Sequence, residues 1–445
     1  MVWIKIKTSQ QDGHALYIPS MLIDVIPSTI HLTFGKRTAE ITVKTMEDFS
    51  QKTHSFNHPT IVYMTQSLLN QLLIIKDIPY QLRFKKEQWI IGPVIGLLLG
   101  EQQDFLHPQL MNRFTNRLTA YSQIGGLIIA FKDQPLHLEK ECIYGLYYSP
   151  NEKTWLPGKF PLPSAVYRRT FRKNHFFVNQ LHTIVDGNIF NSVRLTKWET
   201  YQLLRKEPMF EKYLPETVKI TSMTNIKKFV SKHRDVILKP ANSSQARGIL
   251  IIKRISKDSF YLLDYRRKKD SEAMRVTDLQ LWELLRREHI IHNTYIAQPY
   301  IKLANIHGTP WDIRVVMQRN RKKQWECHGI ECRLAKKNQF ITNISRGGTG
   351  LTIKEAVTFS FGEPFYPIIK ENVKKAAYAF CQVLDKTNEH FAEIGLDFAC
   401  DTDKNVWFIE VNTKPSFQGF QSISEKNYSY LSTAPLHYAA SLAGF

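Results

Sequence analysis

Cysteine, acidic residues and long apolar runs are all scarce in this sequence. Five cysteines occur in 445 residues, Cys142, Cys327, Cys332, Cys381 and Cys400. A sparse, odd set argues against a disulfide framework and for a reducing, cytosolic compartment. Cys327 and Cys332 have neither CxxC spacing nor a His-x-x-x-His companion, so no structural zinc is expected. No apolar run reaches the roughly 18–20 residues of a membrane span. The longest, WIIGPVIGLLLG from Trp89, is broken by Pro93 and three glycines. The opening MVWIKIKTSQQDGHALYIPS lacks the apolar core of a signal peptide. There is no Walker A sequence and no Ser-His-Asp or Cys-His signature.

The acidic deficit is large: 60 Lys and Arg against 40 Asp and Glu give a formal charge of +20. Such a balance attracts polyanions: nucleotides, nucleic acid, anionic lipid or an acidic protein surface. The basic residues are spread along the chain, with knots at Arg266–Lys269 and Arg319–Lys323. No interleaved aromatics mark an RNA-binding surface, so nucleic acid is not expected as the partner. Hydrophobic content of 43% and charged content of 22% are those of a globular protein, and the length allows two or three domains.

Three styles of patterning follow one another. Residues 1–88 alternate apolar and polar over short runs (VWIKIKT, TIHLTF, AEITVKT), which predicts a small β-rich unit. Residues 89–190 change character. WIIGPVIGLLL reads as a strand covered on both faces, and HPQLMNRFTNRLTAYSQ has helical spacing at Leu110, Met111, Phe114, Leu118 and Tyr121. LIIAF is a further buried strand, so this unit reads as parallel α/β. From Asn191 onward, residues 191–445 form a third unit. Helices are predicted in RLTKWETYQLLRKEP, in NIKKFVSKHR with Thr224 or Asn225 as cap, in TDLQLWELLRREH, and in ENVKKAAYAFCQVLDKTNEHF. DVILKP, GILIIKR, SFYLLDY, YIAQPYI, WDIRVVMQR and ECHGIECRLA read as strands.

IGLDFACDTDKNVWFIEVNTKP (394–415) has the pattern of a β-hairpin, yet it carries Asp397, Glu410 and Asn412 among its hydrophobes. Alternation puts Phe408, Glu410 and Asn412 on one face and Trp407, Ile409 and Val411 on the other. A turn centred on Asp403-Lys404 sets Asp397 directly opposite Glu410 and Gly395 opposite Asn412. A loop of two or four residues gives that register, and a loop of three shifts it by one. Facing carboxylates repel. A hard cation such as Mg²⁺ relieves the repulsion; a solvated face with Lys414 as partner is the alternative.

Lys239 ends the strand VILK and precedes PANSSQARGI, a way to offer charge and backbone N–H groups to phosphate. Asp312 and Arg314 share one face of WDIRVVMQR, as an oxyanion clamp or as a structural ion pair. SRGGTG (345–350) is a glycine loop or a simple turn.

Taken in order, the KW dipeptide at Lys197, LPET, LKP with a small-residue loop ending in RGI, AQPYI, DIR, the strand with Arg333, TN with RGG, and GLDF…FIEVNTKP resemble the ATP-grasp superfamily. The likeness falls on the branch of glutathione synthetase and ribosomal-protein glutamate ligases. PLPSAVYRR and the N-terminal β unit extend it to the endospore coat-associated YheC/YheD family of Bacillus-type bacteria. The resemblance implies an α/β (α+β) fold: an ATP-grasp domain with a lid at about 215–300, preceded by a Rossmann-like pre-ATP-grasp domain and the β-rich unit. It implies ATP and Mg²⁺, normally two ions, as cofactors. Lys197 and Lys239 would contact phosphates, and the loop Asn242–Gly248, with Ser243, Ser244 and Gly248, would cover them. Gln298, Tyr300 and Ile301 would form the adenine hinge, and Asp397, Glu410 and Asn412 would hold Mg²⁺. Arg314, Arg333, Asn343, Gly347 and Gly348 would face the acceptor. The sequence departs from the family pattern in a phosphate loop that keeps one glycine, Gly248, and in Gln298 where ligases often carry Glu.

The implied chemistry is ATP-dependent joining of a carboxylate to an amine or thiol through an acyl-phosphate. The two substrates are unnamed, spore-coat proteins are the implied partners, and the expected location is the mother-cell cytoplasm with coat association. A non-catalytic coat protein that keeps the fold is the alternative, and a nucleic-acid binder is a third reading that rests on charge alone.

Overall fold

A computed structural model describes the chain apart from residues 24–29, 48–54, 100–106, 134–140, 171–174, 243–247, 267–272, 292–293 and 337–347. Ser243, Ser244, Asn343 and Gly347 therefore lie outside the described residues. The fold is mixed α/β, as expected, and its strands gather into a closed barrel and three sheets.

The alternating N-terminal runs close into a seven-stranded barrel around Ile4, Ile6, Leu32, Val62 and Tyr80. The apolar run at Trp89 is not one strand. Gln88–Gly92 completes the barrel beside Pro79–Lys85, and Val94–Leu98 opens the next sheet. A single run can serve two sheets because both interiors demand the same apolar residues. In the second sheet, Leu127–Phe131, Val94–Leu98, Ala165–Arg168 and Ile189–Phe190 run parallel, and Thr154–Pro161 with Cys142–Ser149 adds an antiparallel edge. The segment expected as one helix after His107 is three short turns, Pro108–Met111, Asn112–Arg117 and Tyr121–Ile124. It buries Met111, Phe114, Leu118 and Tyr121, four of the five residues whose spacing had suggested a helix, and leaves Leu110 exposed.

Two antiparallel sheets carry the rest. In the first, Asp235–Pro240 lies between Tyr295–Pro299 and Leu250–Ser256, followed by Ser259–Asp264 and Met274–Thr277. Val236, Leu238, Leu250, Ile252 and Leu262 pack against the helices Met223–Lys232 and Asp278–Arg287. The cap of the first of these is Ser222, whose side chain accepts from the Asn225 N–H; neither Thr224 nor Asn225 serves. The second sheet runs Thr349–Leu351, Trp325–Leu334, Thr309–Arg319, Glu393–Cys400, Val406–Asn412. One face packs Ile313, Val315, Leu396 and Phe398 on the long helix Tyr366–Asp385, with Val373, Ala377, Phe380 and Leu384 inward. The other face carries the charged residues.

The hairpin differs from expectation in one instructive way. Its loop holds three residues, closed by Asp401, whose backbone N–H bonds the Asn405 carbonyl at 3.0 Å. That loop shifts the register, so Phe398 faces Phe408 and Cys400 faces Val406. A bulge between Asp397 and Phe398 in the pairing, at Ile409, restores it, and Asp397 does fall opposite Glu410. The bulge also corrects the faces. Phe408 lies with the core, stacked on Phe380 at 5.3 Å and edge-on to Phe398 at 5.7 Å, rather than sharing a face with Glu410.

Candidate active site

Register alone assembles a row of charges across four adjacent strands: Glu331, Arg314, Asp397 and Glu410 face one another in turn. Strands lie about 4.8 Å apart, so the row is roughly 14 Å long. One step along the same face, Asp312 faces Arg333. The ion pairs cross the expected grouping. Arg314 grips both oxygens of Asp397, its Nη2 at 3.0 Å from Oδ2. Arg333 forks onto Asp312 at 2.7 and 2.6 Å and reaches Asp397 Oδ2 at 3.1 Å. Asp312 therefore orients Arg333 across the strands. Burial alone would raise the Asp397 carboxyl, but Arg314 and Arg333 outweigh it and hold the group below the usual carboxylate range.

The helix Lys197–Leu204 starts at Thr196, whose side chain and Glu199 form a capping box. Its first N–H bonds the carbonyl of Ala241 at 3.0 Å, which anchors the helix to the end of the Asp235–Pro240 strand. Lys197 thereby comes within 2.9 Å of Glu410 Oε2, and Lys239 is close enough to feel the charges of both. Lys239 Nζ donates to Gln298 Oε1 at 2.9 Å, and Gln298 Nε2 donates to Thr217 Oγ1 at 2.8 Å. Burial first, and Lys197 second, lower Lys239 to about 8, with Glu410 opposing. Gly248 has φ +82°, and a Cβ there would stand 2.7 Å from Pro240 Cγ, so glycine is required at this point of the loop. Its carbonyl accepts from the Tyr295 hydroxyl at 3.0 Å.

Asn412 closes the set, with Nδ2 at 3.4 Å from Asp397 Oδ2 and 3.3 Å from Glu410 Oε1. Among the described residues no group of three or more His, Cys, Asp or Glu is placed so that it could hold a metal ion. This trio is two carboxylates and an amide, hard oxygen donors of the kind Mg²⁺ takes. The three side chains lie within reach of one another, Asn412 through its amide nitrogen, and their oxygens are of the kind the ion takes. The structure thus brings Lys197, Lys239, Gln298, Arg314, Arg333, Asp397, Glu410 and Asn412 into one connected cluster. Tyr300 and Ile301 follow the Tyr295–Pro299 strand, half-buried, with Lys253 Nζ 5.0 Å from the Tyr300 ring centre. Gly348 precedes the edge strand Thr349–Leu351, whose Gly350 faces Arg333.

A model of YheC/D-like ATP-grasp proteins matches residues 186–442 of this sequence. The chain belongs to the YheC/D-like ATP-grasp family. It is 26% identical over 421 residues to the endospore coat-associated protein YheD of Bacillus subtilis (strain 168), covering 92% of this chain and 88% of that one. To the endospore coat-associated protein YheC of the same organism it is 24% identical over 297 residues, 65% of this chain and 80% of that one. Among solved structures it is similar to the ATP-grasp ligase PsnB complexed with a minimal precursor. The TM-score is 0.44 and identity 14%, over 80% of this chain and 99% of that one. It is also similar to N5-carboxyaminoimidazole synthetase of Staphylococcus aureus complexed with ADP, with a TM-score of 0.45 and 11% identity over 77% of each chain.

Several residues of this ATP-grasp cleft escape a reading of the sequence. Thr217 stood in a turn, LPET, yet it holds Gln298. Ile237, Ile249, Ile251, Leu263, Tyr265 and Tyr300 form an apolar patch on the cleft side of the strand sheet, opposite its helices. Alternation in DVILKP and GILIIKR was the available signal. Glu331 joins the charged row; burial, against the pull of Arg314 and Arg333, raises it to about 7. A cavity of about 870 Å³ between Pro208–Tyr213 and the Tyr366–Asp385 helix lies on the far face of the sheet and belongs to no part of this site. No helix among the described residues is long and apolar enough to cross a membrane.

Proposed function

We propose that this chain is an ATP-dependent carboxylate–amine ligase that works through an acyl-phosphate in the mother-cell cytoplasm and associates with the spore coat. The observation that carries the reading is the convergence of Lys197 and Lys239 with Asp397, Glu410 and Asn412 beside Arg314. In this reading the apolar patch around Ile251 and Tyr300 receives the adenine, and Gln298 reads its edge. Lys239 and Lys197 bind the phosphates. Asp397, Glu410 and Asn412 would hold Mg²⁺, normally two ions. When bound, Mg²⁺ neutralises charge on the phosphate oxygens. Arg314 and Arg333, held rigid by Asp397 and Asp312, stabilise negative charge on the transferring group, so the rate enhancement comes from positioning and electrostatics. Ser243, Ser244 and Asn343, with Gly347, are assigned to the phosphate cover and acceptor side by the family likeness. The domain division proposed keeps 191–445 with the lid at about 215–300, and moves the first boundary from 88 to about 92, because Gln88–Gly92 completes the barrel.

The coat association is supported by the names of the two Bacillus relatives. A second reading, a coat protein that binds ATP without turnover, is favoured by the loop NSSQARG, which keeps one glycine. Incubation with Mg²⁺-ATP and pooled amino acids or spore extract separates the two. ADP together with a new amide product by mass spectrometry supports the ligase. Protection by ATP against melting without turnover supports the binding protein.

A further inference from the structure

The charged face holds three carboxylates, Asp312, Asp397 and Glu331, against two guanidiniums, Arg314 and Arg333. Both guanidiniums are bonded to the aspartates. Glu331 stands across the strand from Arg314, and its Oε2 is buried with no hydrogen-bond partner among the described residues. A buried carboxyl oxygen without a partner is costly and calls for an explanation such as a ligand. Glu331 is 1% exposed, but Asp397 at 4%, Arg314 and Arg333 at 7% and Lys239 at 8% are covered almost as fully. Burial is therefore common to this cleft and does not set Glu331 apart from it.

Location narrows the ligand. Glu331 is two strands from Asp397, roughly 10 Å, on the side of Arg314 away from Glu410 and Lys197. In the ligase reading a nucleotide takes the opposite end of the row, which leaves Glu331 to the second substrate. Glu331 Oε2 lacks a hydrogen-bond donor, and three carboxylates against two guanidiniums leave room for one positive charge. A hydroxyl or thiol supplies the donor alone. A divalent cation would bring two charges to a face where three carboxylates stand against two guanidiniums, one more than the single charge left over. A primary ammonium carries one charge and three donors. We propose that Glu331 is the binding subsite for the ammonium group of the acceptor, so that the acceptor nucleophile is a primary amine and not a thiol. The proposal rests on the ligase reading above.

The test uses the full chain saturated with Mg²⁺-ADP and two probes, 1,5-diaminopentane and lysine amide, with 1-pentanol as the neutral comparator, in isothermal titration. Wild type should bind both amines and ignore the alcohol. Glu331→Gln, of the same shape, should weaken amine binding roughly tenfold or more, the scale of a lost charge-assisted hydrogen bond. It should keep the wild-type affinity for Mg²⁺-ADP and melt no lower than wild type, because it removes an uncompensated buried acid. Glu331→Asp should retain part of the amine affinity. Equal amine binding by wild type and Glu331→Gln overturns the proposal, as does wild type that binds no amine or binds the alcohol equally well. A Glu331→Gln protein that melts lower with unchanged amine binding assigns the residue a structural role instead. Failure of wild type to bind Mg²⁺-ADP would count against the ligase reading itself and is distinguishable from all of these.

Discussion

Burial and the neighbouring Lys197 cation bring Lys239 to about 8, so its charge changes close to neutral pH. Below that value the ammonium attracts phosphate, and above it the neutral amine does not. Bound phosphate favours the ammonium, so nucleotide affinity should fall as pH rises through about 8. If only the charged form binds, the loss between pH 7 and pH 9 is roughly tenfold. Measured dissociation constants for Mg²⁺-ADP across this range check it, and Lys239→Arg, charged throughout, should flatten the profile. A flat wild-type profile would remove Lys239 from phosphate binding. Glu410 allows a second prediction. It faces Asp397 and is bonded to Lys197 and Asn412. Glu410→Ala should abolish Mg²⁺-dependent nucleotide binding and leave the melting temperature within a few degrees. Titration calorimetry with and without Mg²⁺ decides it, and unchanged binding would sink the metal assignment.

At the scale of the element, the hairpin shows what a sequence can and cannot disclose. The pairing of Asp397 with Glu410 was legible from counting, because residue number and strand register are linked. The three-residue loop and the bulge at Ile409 were not, since no glycine or proline marks either. Their one-residue offsets cancel, so the pair was found while Phe408 was assigned to the wrong face. Crossed ion pairs were equally hidden: Asp312 and Arg314 look like partners along one strand, but partners across strands are nearer than neighbours two residues apart on the same face. Lys239 and Gln298 could be placed by motif; Thr217, Ile251 and Glu331 have no motif and become visible only when strands lie side by side. The bulge makes a test. Ile409 is the extra residue, and Phe408 and Glu410 already point to opposite faces. Its deletion should therefore leave Mg²⁺-ADP affinity within about threefold, because a bulge residue is one that pairing does not use. Loss of binding in the deletion protein, with its circular dichroism intact, would show that the bulge itself shapes the site.

At the scale of the molecule, another buried acid ties the sheets together. Glu393 is fully buried at the start of the Glu393–Cys400 strand. It accepts from Arg169 at 2.9 Å, from Gln318 at 3.0 Å and from the Tyr167 hydroxyl, and Arg117 stands 3.5 Å away. Tyr167 and Arg169 come from the end of the parallel sheet, so this cluster fastens that sheet to the one bearing the site. Glu393→Ala leaves two guanidiniums buried without their acid and should cost about 3–5 kcal/mol in chemical denaturation. A loss below about 1 kcal/mol would show that the sheets are held by apolar packing instead. The Lys239–Gln298–Thr217 chain described above has a consequence of another kind. In the proposed ligand geometry, phosphate draws the ammonium away from Gln298 Oε1, and that oxygen is then open to the exocyclic amine of adenine. Purine and phosphate thus compete for neither group, and each prepares the place of the other. Such coupling is reciprocal: adenosine in the cleft should tighten the grip on a separate polyphosphate by the same factor as polyphosphate tightens the grip on adenosine.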